Sequence, residues 1–130
     1  VREYVEEHKE LFENNNLSNI FLVTPNTSED RLKFIDTHSS GFIYFVSSES
    51  TTGNKKDIRN TNEAYFNRIK NSDLKNPAMI GFNIHDRESF AFACKFSHGG
   101  IIGSAFIRAI EGSSNLEKDI HTFIQNIRPA

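Results

Sequence analysis

Short apolar runs alternate with amphipathic segments along this chain, and that alternation constrains the fold more than any other feature. The runs occupy residues 20–23, 42–46, 78–82 and 99–102, with centres 22, 36 and 22 residues apart. Between and after them, apolar residues recur at the spacing of one helix face, and a similar pattern covers residues 2–14. Thr27 with Asp30 predicts a capping box at the start of the helix after the first run, and Asp86 is predicted to cap the helix after the third. Strands that alternate with helices in this way form βαβ crossovers, so the sequence predicts a parallel sheet in one α/β unit spanning residues 1–130.

The number of strands raises a difficulty for a closed architecture. A (β/α)8 barrel needs eight strands and about 250 residues, whereas this chain of 130 residues offers four. Four parallel strands left open expose two sheet edges and one apolar face. Three arrangements follow: a piece of a longer protein, two copies that close a barrel together, or a small open sandwich. The leading helix has no strand of its own before it, which favours the first arrangement.

Glycine-containing turns end the third and fourth apolar runs. Gly81 and Asn83 follow one run, and Gly103 and Ser104 follow the next, with Ser104 predicted as the N-cap of a short helix. A close backbone approach followed by free helix N–H groups suits an anion, and barrels often bind phosphate after their last two strands. The pattern therefore predicts a phosphate site, although close packing of strands against helices explains the same glycines.

Composition excludes several classes of function. The net charge is −2 with mixed signs, so we expect no nucleic-acid partner, and no apolar run approaches the roughly 18 residues of a membrane span. The first residues lack a signal-peptide layout, and the single cysteine, Cys94, suits a reducing compartment. Cys94 and His98 are four residues apart, but no second pair joins them, so we expect no metal site and interpret Cys94 as a core residue. The expected location is the cytoplasm.

Five pieces of the sequence resemble the alpha subunit family of tryptophan synthase, in order and with matching spacing. The resemblance implies that this chain is the C-terminal half, (βα)4, of a TIM (β/α)8 barrel and supplies its fifth to eighth strands. It covers the chain nearly from end to end, and its strength lies in the combination of motifs. The five pieces are residues 21–25 with the turn that follows, 41–47, 51–53, 81–84 and 102–107.

The resemblance also implies an activity and a partner. The activity is aldol cleavage of indole-3-glycerol phosphate to indole and glyceraldehyde 3-phosphate, in tryptophan biosynthesis. The partner is the tryptophan synthase beta subunit, in an alpha2beta2 complex, which carries pyridoxal phosphate; the chain itself needs no cofactor. In the family a glutamate and an aspartate of the N-terminal half transfer the protons. Neither lies in this sequence, so we expect the chain alone to be inactive.

Site residues follow from the same resemblance. The phosphate-binding positions are Gly53, Gly81, Asn83, Gly103 and Ser104; a lid threonine and a tyrosine that lines the site complete the set. Two positions depart from the family, because Asn83 and Ser50 stand where it usually has glycine. Asparagine tolerates a positive φ better than most residues, so the first departure is compatible with phosphate binding. The lid threonine is Thr52, and the lining tyrosine is Tyr44, for which an ordinary core position is an equal alternative.

Two other functions remain open at this point. One is a free-standing flavodoxin-like (βα)4 module that binds a phosphorylated ligand without chemistry, and the other is a homodimer of half-barrels that closes into a ring. The order of the strands separates the first of these from the half-barrel. Neighbouring strands in sequence order favour the half-barrel, whereas a reordered sheet with helices on both faces favours the module.

Overall fold

The computed structural model describes residues 1–47 and 63–128, and its elements alternate as the sequence predicts. A π-helical segment, Tyr4–His8, leads directly into the first α-helix. The strands are β1 (Leu22–Val23), β2 (Ile43–Val46), β3 (Ala78–Gly81) and β4 (Gly99–Ile101). The helices are α1 (Lys9–Asn14), α2 (Glu29–His38), α3 (Glu63–Asn71), α4 (Arg87–Cys94), α5 (Ser104–Ile110) and α6 (Leu116–Ile127).

The four strands form one parallel sheet in the order β1-β2-β3-β4. Tyr44 of β2 lies between Leu22 of β1 and Met79 of β3, and Met79 in turn pairs with Gly99 of β4. Sequential order with parallel pairing is the arrangement of neighbouring strands in a barrel. The reordered sheet of the flavodoxin-like alternative is therefore not the architecture of this chain.

One face of the sheet carries the hydrophobic core. Because side chains alternate along a strand, Val23, Phe45 and Ile80 point to the same face, where all three are fully buried. Helices α2, α3 and α4 cover that face and contribute their predicted apolar stripes. Their buried side chains include Leu32, Ile35, Tyr65, Phe66, Ile69 and Ala93.

The opposite face of the sheet lacks such a cover among the described residues. Leu22 is 59% exposed, and its neighbours across the sheet, Tyr44 and Met79, are only half-buried. A large apolar side chain exposed on a parallel sheet is unusual, because parallel sheets normally have both faces covered. This is the exposed apolar face that we predicted for half of a barrel.

Helix caps agree with the sequence at some positions and correct it at others. Asp86 caps α4 as predicted: its carboxylate accepts a hydrogen bond from Ser89 N at 2.8 Å, and the Ser89 hydroxyl accepts one from Asp86 N. The capping box expected at Thr27 is wrong, because Ser28 is the N-cap of α2 and accepts from Arg31 N. Thr27 instead accepts a hydrogen bond from Thr24 N within the preceding turn.

Cys94 is a second correction. It lies at the end of α4 with its side chain exposed, so the core position that we predicted is wrong. Ala93, one residue earlier, occupies the buried position, and the helix turns Cys94 away from the sheet. Partial burial of the thiol raises the pKa of Cys94, and the Arg128 charge opposes that shift.

A buried carboxylate joins two connections at the end of the sheet where the strands begin. Asp36, near the end of α2, is 6% exposed and accepts hydrogen bonds from Lys75 N (2.9 Å), Asn76 N (3.0 Å) and Asn76 Nδ2 (2.9 Å). Asn76 Nδ2 also donates to the Asp36 carbonyl. Burial raises the pKa of Asp36, but these donors outweigh it and hold the pKa below its usual value. The contacts fix the segment that leads into β3.

Candidate functional site

The glycine turns predicted to bind phosphate lie at the same edge of the sheet. Gly81, the last residue of β3, pairs with Ile101, the last residue of β4, and Gly103 follows two residues later. Neighbouring strands are about 4.8 Å apart. The turns after β3 and β4 therefore lie side by side at the carboxyl ends of the strands, as a shared anion requires.

The turn after β3 has an unusual backbone. Phe82 and Asn83 both adopt left-handed conformations, with φ of +65° and +56°. Glycine and asparagine are the residues that tolerate this region best. The conformation of Asn83 is therefore one that the glycine expected from the resemblance could also adopt. Phenylalanine has no such tolerance, and its conformation needs support from outside the turn.

Ser47 provides that support, a role that no local sequence pattern predicts. It follows β2, is fully buried, and its hydroxyl donates to the Phe82 carbonyl at 2.9 Å. Its backbone N–H donates to the Gly81 carbonyl at 3.1 Å. The one sequence feature that could have indicated this role is a small polar residue directly after a buried apolar strand. Ser47 therefore joins the end of β2 to the left-handed turn after β3.

The start of α5 differs in detail from the prediction. Gly103, rather than Ser104, is the N-cap residue, and no side-chain cap hydrogen bond is present there; Ser104 is the first residue of the helix. The first backbone hydrogen bond within this part of the described chain runs from Ile107 N to the Gly103 carbonyl at 3.1 Å. The N–H groups of the first helical residues thus point out of the helix end. A Cβ atom added at Gly103 meets no heavy atom within 4 Å, so the space in front of this turn is open.

Tyr44 lies on the uncovered face of the sheet, directly over the Gly81 backbone. A Cβ added at Gly81 comes within 1.9 Å of the Tyr44 hydroxyl oxygen, so this tyrosine explains why the position is glycine. The Tyr44 ring also packs edge-on against Phe82, with centroids 5.8 Å apart. Burial raises the pKa of Tyr44, and a backbone hydrogen bond with Phe82 opposes the shift. Tyr44 is thus adjacent to the turn after β3 and faces away from the helix-covered core.

The remaining candidate residues are the lid positions, Asp86 and the side chains that could bind a metal ion. Thr52, Gly53 and Ser50 lie outside the described residues. Asp86 is engaged as the cap of α4. In residues 1–47 and 63–128, one group of side chains brings metal-ligand atoms within 4.8 Å of one another, all of them exposed on the first helical segment: Glu3, Glu7 and His8.

Comparison with known proteins gives the family. A family model described as tryptophan synthase alpha chain matches residues 2–129. The chain belongs to the tryptophan synthase alpha chain family. The alpha chain of Flavobacterium johnsoniae is 47% identical over 125 residues, which are 96% of this chain and 49% of that protein. The alpha chain of Christiangramia forsetii is 45% identical over 125 residues, which are 96% of this chain and 48% of that protein. The chain therefore spans about half the length of these relatives.

The structural comparison agrees with the tryptophan synthase alpha fold. The A-subunit of Pyrococcus furiosus tryptophan synthase superposes with a TM-score of 0.72 at 22% identity, covering 98% of this chain and 51% of that one. At this identity the likeness concerns the fold alone, and it confirms that the four strand–helix units have the arrangement of half an alpha-subunit TIM barrel. No helix within the described ranges is both long and apolar enough to cross a bilayer.

Proposed function

We propose that this chain supplies the phosphate-binding half of a tryptophan synthase alpha subunit, which cleaves indole-3-glycerol phosphate to indole and glyceraldehyde 3-phosphate in tryptophan biosynthesis. Its part is to bind the phosphate of the substrate at Gly81, Asn83, Gly103 and Ser104, with Gly53 contributing from the lid. The observation that carries the proposal is the meeting of the turns after β3 and β4 at one edge of the sheet.

The backbone of both turns suits a phosphate dianion. The N–H groups at the start of α5 are directed away from the helix and carry partial positive charge. The open space in front of Gly103 leaves room for an oxygen atom where any other residue places a methyl group or more. The left-handed turn at Asn83 reorients the backbone directly after β3, which supports a contribution of its N–H group to the same site.

The proton transfers are proposed to come from elsewhere in the barrel. Aldol cleavage needs an acid and a base that are positioned on the substrate, each worth about 10²–10⁴-fold in rate. Asp86 caps α4 and accepts a hydrogen bond from Ser89 N, so we assign it a structural role and not that of the acid or base. We propose that the other half of the barrel covers the exposed face around Leu22, Tyr44 and Met79 and brings both catalytic carboxylates.

Partners and location complete the proposal. The product indole passes to a beta subunit that holds pyridoxal phosphate, and the alpha half described here uses no cofactor or metal of its own. The complex is proposed to work in the cytoplasm. A second copy of the chain closing the ring remains an alternative to the missing half.

Complementation tests whether this chain needs the other half of the barrel for catalysis. The substrate indole-3-glycerol phosphate is supplied to this chain, to the first half of the Flavobacterium johnsoniae alpha chain, and to their mixture, and glyceraldehyde 3-phosphate is measured with a coupled dehydrogenase. We expect turnover from the mixture alone. Robust turnover by this chain without the other half contradicts the proposal.

Phosphate binding is tested separately, by NMR of the 15N-labelled chain. Titration with glyceraldehyde 3-phosphate should shift the amide signals of residues 81–83 and 103–106. Gly103→Ala should weaken binding at least about tenfold without loss of stability, because its methyl group enters open space that the ligand needs. Ser114→Ala, in the exposed turn beyond α5, serves as the control. Saturable shifts confined to other residues, or equal binding by the Gly103 variant, contradict the site.

A further inference from the structure

A cavity of about 230 Å³ lies at the opposite end of the sheet from the proposed phosphate site. Ala78, the first residue of β3, forms part of its wall, whereas the phosphate turn follows Gly81 at the other end of the strand. Three residues of β-strand separate the two by about 10 Å. The cavity lies where α3 and α4 end, so it is distinct from the site described above.

The floor of the cavity is apolar. Ile69, Leu74 and Phe96 line it together with Ala78, and the Phe96 ring is held by the neighbouring rings of Phe66 and Phe92 at centroid distances of 5.4 and 5.2 Å. The two lining hydroxyls are already engaged with carbonyl groups. The Ser72 hydroxyl donates to the Arg68 carbonyl, and the single Ser97 hydroxyl proton is shared between the Ala93 and Gly99 carbonyls, at 3.0 and 2.8 Å.

The other polar side chains that line the cavity, Lys70, Lys95 and His98, each carry a hydrogen-bond donor. Ala78 N donates to His98 Nδ1 at 3.1 Å, so the neutral imidazole carries its proton on Nε2. Lys70 and Lys95 add two ammonium groups, and the described lining contains no carboxylate. Basic residues near helix ends offset the helix dipole, but that role explains neither the fixed imidazole nor the apolar floor beside it.

We propose that this cavity binds a small aromatic monocarboxylate, with its ring on the apolar floor and its carboxylate between Lys70, Lys95 and His98 Nε2. A cavity of about 150 Å³ accommodates benzene, so 230 Å³ has room for a ring with a short carboxylate side chain. A free amino acid fits less well, because the two lysines repel its ammonium group and the described lining contains no acidic side chain to pair with it. The proposal does not depend on the function proposed above.

The test is a titration of the 15N-labelled chain with 3-phenylpropionate, followed by NMR. The uncharged 3-phenylpropionamide and the zwitterion phenylalanine are the matched comparison ligands. We expect saturable shifts in residues 69–78 and 95–98, a dissociation constant of about 1 mM or lower, and at least about fivefold weaker binding of both comparison ligands.

Variants identify the groups responsible. Lys70→Met and Lys95→Met keep an unbranched side chain, one atom shorter and without the charge, and should each weaken binding at least about threefold. His98→Asn keeps an acceptor for Ala78 N but removes the Nε2 donor, and it should have a similar effect. Lys33→Met, on the exposed side of α2, should bind as the parent chain does. Equal binding of the amide, indifference to both lysine variants, or shifts confined to the exposed face at Leu22, Tyr44 and Met79 each overturn the proposal.

Discussion

Removing the Asp36 carboxylate should destabilise the chain more than any other single change to a charged residue that we propose here. The carboxylate accepts hydrogen bonds from Lys75 N, Asn76 N and Asn76 Nδ2, all between 2.9 and 3.0 Å. A hydrogen bond to a charged group contributes about 1.5–3 kcal/mol, and such bonds to one acceptor are not additive. Because Asp36→Ala also leaves partly buried donors without an acceptor, we expect a loss of about 3–5 kcal/mol.

Urea unfolding followed by circular dichroism measures this loss. With a denaturant slope of about 1.5–2 kcal/mol per molar, the expected shift of the midpoint is about 1.5–3 M. Asp36→Asn should lose less, because one oxygen acceptor remains while an amide N–H replaces the other. Asp73→Asn, an exposed carboxylate in the same connection, is the control and should change the free energy of unfolding by less than about 0.5 kcal/mol.

The pH dependence provides an independent check of the same contacts. The pKa of Asp36 is lower in the folded chain than in the unfolded chain, so the carboxylate stabilises the fold above its unfolded pKa of about 3.9. That stabilisation is lost as the pH falls through the folded pKa. The difference in stability between the parent chain and Asp36→Ala should therefore shrink below about pH 4. An Asp36→Ala variant as stable as the parent at pH 7, or a difference that grows on acidification, refutes the reasoning.

Three further predictions concern the turn after β3, each measured by urea unfolding. Gly81→Ala should cost about 1–3 kcal/mol, because its methyl group overlaps the Tyr44 ring, and adding Tyr44→Ala should recover most of that loss. Asn83→Ala should cost about 1 kcal/mol at φ +56°, whereas Asn83→Gly should be neutral or slightly stabilising. Ser47→Ala should cost about 1–2 kcal/mol, because the Phe82 carbonyl loses the donor of a partly buried hydrogen bond.

Each of these has a result that contradicts it. If the double variant loses the sum of the stabilities lost by Gly81→Ala and Tyr44→Ala, the proposed overlap of the two side chains is contradicted. Equal stabilities of the alanine and glycine variants at position 83 contradict the left-handed turn. A neutral Ser47→Ala contradicts its role in holding Phe82.

Local patterns were sufficient to predict the order of strands and helices. The buried runs around Phe45 and Ile80, the apolar stripe of α3 and the Asp86 cap are determined by residues close to one another in sequence, and all are confirmed. The five pieces that carry the family resemblance are likewise short runs of contiguous residues. In the described part of the chain, the errors include single positions such as Thr27, Ser104 and Cys94, where neighbouring residues compete for one cap or one buried position on a helix.

Contacts between distant parts of the chain were decided only by the tertiary structure. Asp36 and Asn76 are 40 residues apart, and Ser47 and Phe82 are 35 apart, so no local pattern predicts either hydrogen bond. The overlap that makes Gly81 a glycine depends on the register between β2 and β3. The sequence by itself determined which segments form strands and helices and which family the chain resembles. Which side chains meet at the ends of the strands depends on register and chain reversal, which hydrophobic periodicity does not encode.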